Sequence, residues 1–187
     1  TAMGLGPGES MWPVMGGLKW QRGYHGIAAT PLDARDIVLG HATWIAIRCA
    51  IASTAVAIVL TLFHDTRSWG LAPSVLVAML VGVSFAMPIM ALSIGAERDG
   101  MFPAIQRFVV IPLFLFGGAF YPLSQLPTAV QWVAKIAPLW HGVVVARGFT
   151  TGQVDWPGVA GHLGYVALWV VAGTAIATRR MRWKLYT

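Results

Sequence analysis

Few side chains in this 187-residue sequence are suited to chemistry. Glu97 and Asp99 flank Arg98, but three adjacent charges are more simply interpreted as a solvated turn than as paired catalytic carboxylates. No Walker A pattern occurs, nor any Gly-Lys dipeptide, so the sequence offers no phosphate-binding loop of that type. Its five histidines are dispersed along the chain without metal-ligand spacing: His25, His41, His64, His141 and His162. We therefore predict no catalytic residue, metal site or bound cofactor in this chain.

The composition is that of a chain solvated by lipid. Hydrophobic residues make up 57% of it and charged residues 11%, whereas soluble domains carry roughly 25% charged residues. The net charge of +6 does not indicate a nucleic-acid partner, because the basic residues lie at the ends of long apolar runs. The single cysteine, Cys49, lies in an apolar run and is expected to be a small buried hydrophobic residue.

The apolar runs predict an all-α polytopic membrane protein with one transmembrane domain, because a helix needs about 20 apolar residues to cross the bilayer. We predict spans at residues 41–63, 74–95, 101–120 and 158–178, with a partial span at 1–15. Residues 16–40 and 121–157 are too polar or too interrupted to cross once, and 179–187 form a basic tail.

The distribution of Lys and Arg predicts the orientation of these spans. With the C-terminal tail in the cytoplasm, three basic residues lie in outer loops, Arg67, Lys135 and Arg147. Eight then lie in inner segments: Lys19, Arg22, Arg35, Arg98, Arg179, Arg180, Arg182 and Lys184. Arg48 and Arg107 fall within spans, near their inner ends, where long side chains can reach the interface.

The inner segment, residues 16–40, has helical character. Trp20, Tyr24 and Ile27 recur at helical spacing. A second helix is predicted to begin at Pro31, with Thr30 as its N-cap, because proline favours the first helical position. Two interpretations remain open, an interfacial helix that only anchors the protein and a docking element for a cytoplasmic partner.

The outer segment, residues 121–157, holds two helices too short to span. Pro127 and Thr128 open an amphipathic stretch in which Val130, Val133 and Ala137 share one face, and Pro138 is predicted to stop it. Such helices can enter the membrane and return if protein covers their backbone ends. The segment is either a structural cap or a gate on a substrate exit path, and we favour the gate.

Several short motifs, in this order and spacing, resemble the type 2 permeases of ABC transporters, in particular the nodulation-factor exporters and daunorubicin-resistance permeases. They are WQRGYH at residues 20–25, ATPL at 29–32, VLG at 38–40, FLFGGAFYPL at 114–123, QLP at 125–127 and APLWH at 137–141, followed by Arg147. The resemblance covers nearly the whole chain. The chain lacks the N-terminal helix and first span of that family, so we expect it to be a fragment, and Lys19 stands where many relatives carry an acidic residue.

The resemblance implies a six-span permease of the bacterial plasma membrane that pairs with a second permease subunit, identical or homologous. Two ABC ATPase subunits would bind below and carry the ATP and Mg²⁺. It implies that the coupling to the ATPase lies in Lys19, Trp20, Gln21, Arg22, Tyr24, Thr30 and Pro31. It implies that the outer gate and re-entrant helices involve Gly117, Gly118, Pro122, Leu126, Pro127, Pro138, His141 and Arg147.

The expected function is export of an amphiphile, such as a drug, a lipid or a glycan. Two other functions remain open, a non-transporting anchor or assembly subunit and a lipid-modifying membrane enzyme. The enzyme would need a catalytic cluster at one interface, and the sequence contains none.

Overall fold

The computed structural model describes residues 2–20, 23–28, 31–96, 100–120 and 123–186, and these residues are helical with short connections. No strand occurs within those ranges, which confirms the predicted all-α class. The helices are α1 (Ala2–Met15), a π-helix (Gly16–Trp20), α2 (Gly23–Ala28), α3 (Ala34–Thr61), α4 (Leu71–Gly95), α5 (Met101–Ile105), a second π-helix (Gln106–Val110), α6 (Ile111–Phe116), α7 (Thr128–Ile136), α8 (Pro138–Thr151) and α9 (Trp156–Tyr186), with single 3₁₀ turns at His64–Thr66 and Leu123–Gln125.

Three of these helices, α3, α4 and α9, are long and apolar enough to cross a membrane. Helices α7 and α8 are bent by 84° at their junction and together form either a broken fourth span or a re-entrant loop. The helical stretch Met101–Phe116 is apolar but shorter. Large apolar side chains cover the outside, including Phe108, which is 74% exposed. Such a surface requires lipid rather than water.

Helix α4 lies at the centre of the bundle. Within its most apolar stretch 61% of the residues are buried, against 11% in α3 and in α9. It packs against α1, α3, α8 and α9. Two glycines of the neighbours allow close approach, because a Cβ on Gly142 would lie 2.2 Å from Val81 Cγ2 and one on Gly173 would lie 2.7 Å from Pro88 Cδ. Pro88 itself lies inside α4, which continues past it to Gly95.

Helix α3 begins three residues later than predicted. Asp33, not Thr30, is its N-cap, and Pro31 lies in the preceding turn. The Asp33 carboxylate accepts from Ala34 N at 2.7 Å, while Asp36 accepts from Asp33 N at 2.8 Å. This reciprocal capping box satisfies two backbone donors at the helix start, and Asp33 is also paired with Arg182 of α9, a contact that the sequence pattern does not show.

Buried polar side chains are satisfied within their own helices. Ser10, Ser84 and Ser93 each donate to a backbone carbonyl three or four residues earlier, at 2.7–3.0 Å. In the part of the chain that the structure describes, no buried side-chain nitrogen or oxygen lacks a hydrogen-bond partner. This is the condition that a helix must meet in hydrocarbon, where water supplies no alternative partner.

Candidate functional site

The predicted coupling residues that the structure describes lie on the two short helices that follow α1 and in the turn before α3. Lys19 is half-buried beside Met15 and Ser93. Trp20 is 60% exposed, and its ring centroid lies 6.2 Å from that of Trp12. Pro31 is exposed in the turn before α3. Gln21, Arg22 and Thr30, which complete the predicted set together with Tyr24, fall outside the described residues.

Tyr24 is an internal contact. Its ring lies directly against Gly17, where an added Cβ would come within 2.5 Å of it. Its hydroxyl hydrogen-bonds to His41 Nε2 on α3, and the two rings meet edge-on at 5.8 Å. Burial raises the pKa of Tyr24 to about 12, so the hydroxyl stays protonated at neutral pH. Tyr24 therefore joins α2 to α3, which makes it a positioning residue.

The same end of the bundle is held by two arginines of α9. Arg182 forms an ion pair with Asp33 at the start of α3. Arg180 donates to the Ala91 carbonyl of α4 at 2.7 Å. The hydrogen bond from Arg182 lowers the pKa of Asp33, with a further contribution from the Ala34 amide. Helices α3, α4 and α9 are thus tied together beside the predicted coupling segment.

At the other end, the predicted outer-gate residues pack around the turn after α6. Gly117 is buried against Leu139. Gly118 has a φ of +83°, a left-handed conformation that L side chains rarely adopt. Its carbonyl accepts from Arg147 Nη2 at 2.7 Å. The turn and α8 are therefore joined by a guanidinium, while Pro122, also predicted here, falls outside the described residues.

The two outer helices differ in detail from their prediction. Pro127 precedes α7, as expected, and the Leu126 carbonyl accepts from Gln131 Nε2 at 2.8 Å. Val133 is 57% exposed, whereas Ala134 and Ala137 are buried, so the packed face of α7 is rotated from the predicted one. Pro138 does not merely stop α7, because it also opens α8 at a position where its missing N–H costs nothing.

His141 belongs to a histidine pair that sequence reasoning missed. Its Nδ1 lies 2.7 Å from Nδ1 of His162 on α9, and its Nε2 lies 2.9 Å from the Lys135 carbonyl. Because that carbonyl can only accept, Nε2 of His141 carries the hydrogen, and Nδ1–H of His162 donates to neutral His141. Tyr165 stacks on His141 at 4.2 Å between ring centroids. The pair joins α8 to α9.

A second missed pair lies midway along the helices. Glu9 of α1 forms a 2.9 Å ion pair with Arg48 of α3, and their side chains are 20% and 44% exposed. Trp44 Nε1 donates to Glu9 at 3.3 Å, and its ring lies 5.8 Å from the Arg48 guanidinium. Arg48 comes 14 residues after Ala34 and 13 before Thr61, so it is central in α3.

Among the described residues, no group of three or more His, Cys, Asp or Glu side chains could hold a metal ion. Cys49 is fully buried, in agreement with its expected role as a small hydrophobic residue. The polar contacts described above join helices at both ends of the bundle and at mid-height.

Comparisons with known proteins agree with this architecture. Residues 23–149 match the family described as ABC-2 type transporter. The chain is 28% identical to Nodulation protein J of Rhizobium leguminosarum bv. viciae over 99% of the chain and 71% of the relative. It is 30% identical to Nodulation protein J of Bradyrhizobium diazoefficiens over 97% of the chain and 70% of the relative. No solved structure matches significantly.

The family match covers the inner segment from α2 onward and nearly all of the outer helices α7 and α8, and the relatives extend the similarity over nearly the whole chain. Together with the apolar helices, this establishes a membrane protein of the transport class. The chain belongs to the ABC-2 type transporter family.

Proposed function

We propose that the chain is the permease subunit of an ABC exporter in the bacterial plasma membrane. Two permease subunits, identical or homologous, would pair and bind two copies of a separate ABC ATPase, which holds the ATP and Mg²⁺. The complete subunit would have six spans and a cytoplasmic C-terminus. The family match over residues 23–149 is the observation that carries this proposal.

Coupling to the ATPase is assigned to residues 19–31. Exposed Trp20 offers an aromatic anchor for a partner, and such residues dominate many protein interfaces. Tyr24 and the Asp33–Arg182 ion pair connect this region to α3 and α9. Because helices are stiff, a push on the segment would tilt both spans together.

The outer helices are assigned to the gate. Arg147 of α8 donates to the Gly118 carbonyl in the turn after α6, and His141 of α8 hydrogen-bonds to His162 of α9. Helix α8 is therefore bound both to this turn and to α9. The helical stretch Met101–Phe116 leads into this turn through a π-helix that ends just before Pro112. Short π-helical turns within α-helices are frequently found at functional sites. The cargo is proposed to be an amphiphile, because a path between two copies would be lined by side chains of this surface, which is rich in exposed apolar and aromatic residues.

The decisive experiment measures ATP hydrolysis by the partner ATPase co-purified with the full-length permease. Trp20→Asp is expected to lower permease-dependent ATPase activity roughly tenfold, since it places a charge at the contact. Trp69→Asp is the matched control, because Trp69 is 98% exposed on the connection between α3 and α4, away from the segment.

Unchanged coupling in Trp20→Asp would contradict the docking assignment. If no ATPase remains bound after gentle detergent extraction, the exporter proposal fails. If the ATPase binds but neither the permease nor any candidate amphiphile alters its activity, the chain is an anchor or assembly subunit. A neighbouring reading frame with a Walker A motif would support the exporter.

A further inference from the structure

A groove of about 590 Å³ runs between α3 and α9 at the C-terminal end of α9. Its upper walls are apolar and include Leu39, Val170 and Val171. Its lower end is basic, and the described residues that line it include three arginines and no acidic side chain: Arg35, Arg179 and Arg182. Pockets of roughly 300–1,000 Å³ are large enough to hold organic ligands.

Two of the three guanidiniums are available to a ligand. Arg182 is engaged with Asp33. Arg35 and Arg179 are exposed, and neither forms a hydrogen bond or ion pair with the part of the chain that the structure describes. Guanidinium groups bind phosphate oxygens in a bidentate manner, which gives both strength and orientation.

The apolar and basic parts lie at different heights along the helices. Arg182 and Val170 are 12 residues apart in α9, which corresponds to about 18 Å along the helix axis. Both α3 and α9 are candidate spans, so the groove opens sideways into lipid with its arginines at headgroup level. A free phosphate would fill only the lower end, and a zwitterionic lipid such as phosphatidylcholine would bring a cationic choline next to the three guanidiniums, so a lipid with net negative charge fits best.

We propose that this groove binds an anionic phospholipid, with the phosphate on Arg35 and Arg179 and one acyl chain against Leu39, Val170 and Val171. Basic pockets between membrane helices recognise anionic headgroups in this way. The bound lipid would bridge α3 and α9 beside the Asp33–Arg182 ion pair. This proposal does not depend on the exporter proposal, because it requires only that α3 and α9 lie in a membrane with the groove between them.

The test uses the full-length permease purified in detergent and mixed with equal parts of phosphatidylglycerol and phosphatidylcholine, with bound lipid counted by native mass spectrometry. Arg35→Gln with Arg179→Gln is expected to weaken phosphatidylglycerol binding roughly tenfold, since each basic residue near a headgroup contributes substantially. The control, Arg67→Gln with Lys184→Gln, removes the same charge outside the groove and is expected to bind as the parent does.

Ala175→Trp is a second variant that fills the apolar wall and leaves every charge in place, and it is expected to lose the lipid too. Equal retention of the two lipids by the parent, or equal loss in the control, would overturn the proposal. So would unchanged phosphatidylglycerol binding in Ala175→Trp, which would indicate an anion site without an acyl chain. Loss of dimer in Ala175→Trp would assign the groove to a second copy instead. None of these outcomes depends on ATPase activity.

Discussion

At the scale of single residues, the Glu9–Arg48 ion pair places two opposite charges between α1 and α3. Two charges lie midway along apolar helices, where hydrocarbon cannot solvate either one alone. Trp44 completes the cluster by donating to Glu9 and by facing the guanidinium. Each charge therefore depends on the other, and the pair fixes α1 against α3.

Removing one charge should cost more than removing both. Arg48→Gln or Glu9→Gln is expected to lower the free energy of unfolding by roughly 2 kcal/mol, less than for a fully buried pair because Arg48 is partly exposed. The double variant Glu9→Gln with Arg48→Gln should recover at least half of this loss. Thermal unfolding in detergent measures all three, with Arg67→Gln as a surface control. Strict additivity of the two single changes would show that the charges do not interact.

Neither missed pair carried a local sequence signal. His141 and His162 are 21 residues apart, and Glu9 and Arg48 lie on helices separated by α2. Spacing rules apply within one helix or one loop, so they cannot identify partners that only tertiary packing brings together. The position of Arg48 near the inner interface stays a prediction, since the predicted span starts at residue 41, seven residues after α3 begins.

At the scale of elements, the start of α3 shows how two valid signals compete. Thr30-Pro31 is a good N-terminal pair, but Asp33 and Asp36 form a complete capping box three residues later. The box satisfies two amides at once, and its Asp33 also pairs with Arg182 of α9, a tertiary contact that the Thr30-Pro31 signal does not include. The existence of α3, α4 and α9 was predictable from their apolar length, whereas their ends depended on such local competition.

The Asp33–Arg182 contact predicts an acid sensitivity. Its hydrogen bond from Arg182 lowers the pKa of Asp33 below the ordinary 3.8, so the carboxylate binds its proton more weakly in the folded state. The resulting stabilisation is present above that ordinary value and is lost as the pH falls through the lowered one. Asp33→Asn keeps the capping oxygen but removes the charge.

Melting temperatures at neutral pH and at about pH 3 test this contact. Asp33→Asn should be less stable than the parent at neutral pH and should lose less on acidification. Asp155→Asn, just before α9, provides a control at the opposite end of that helix. An identical loss of melting temperature on acidification in Asp33→Asn and the parent would show that the Asp33 carboxylate does not contribute to the acid sensitivity.

At the scale of the whole molecule, the orientation remains a prediction that labelling can test. In a Cys49→Ala background, Trp69→Cys and Trp183→Cys introduce thiols at positions that are 98% and 69% exposed. The excess of basic residues near the C-terminal end predicts that end to be cytoplasmic. A membrane-impermeant maleimide should therefore label Trp69→Cys in intact cells, and Trp183→Cys only after permeabilisation. The reverse pattern would invert the topology.

The central position of α4 has a consequence for biosynthesis. Its most extensive packing is against α9, where Gly173 lies against Pro88 and Arg180 donates to the Ala91 carbonyl. Because α9 follows α4 in the chain, α4 enters the bilayer with that face exposed to lipid until α9 has been synthesised. The α9-facing side of α4 is covered only once α9 has inserted, so a nascent chain truncated before Trp156 would leave that side exposed.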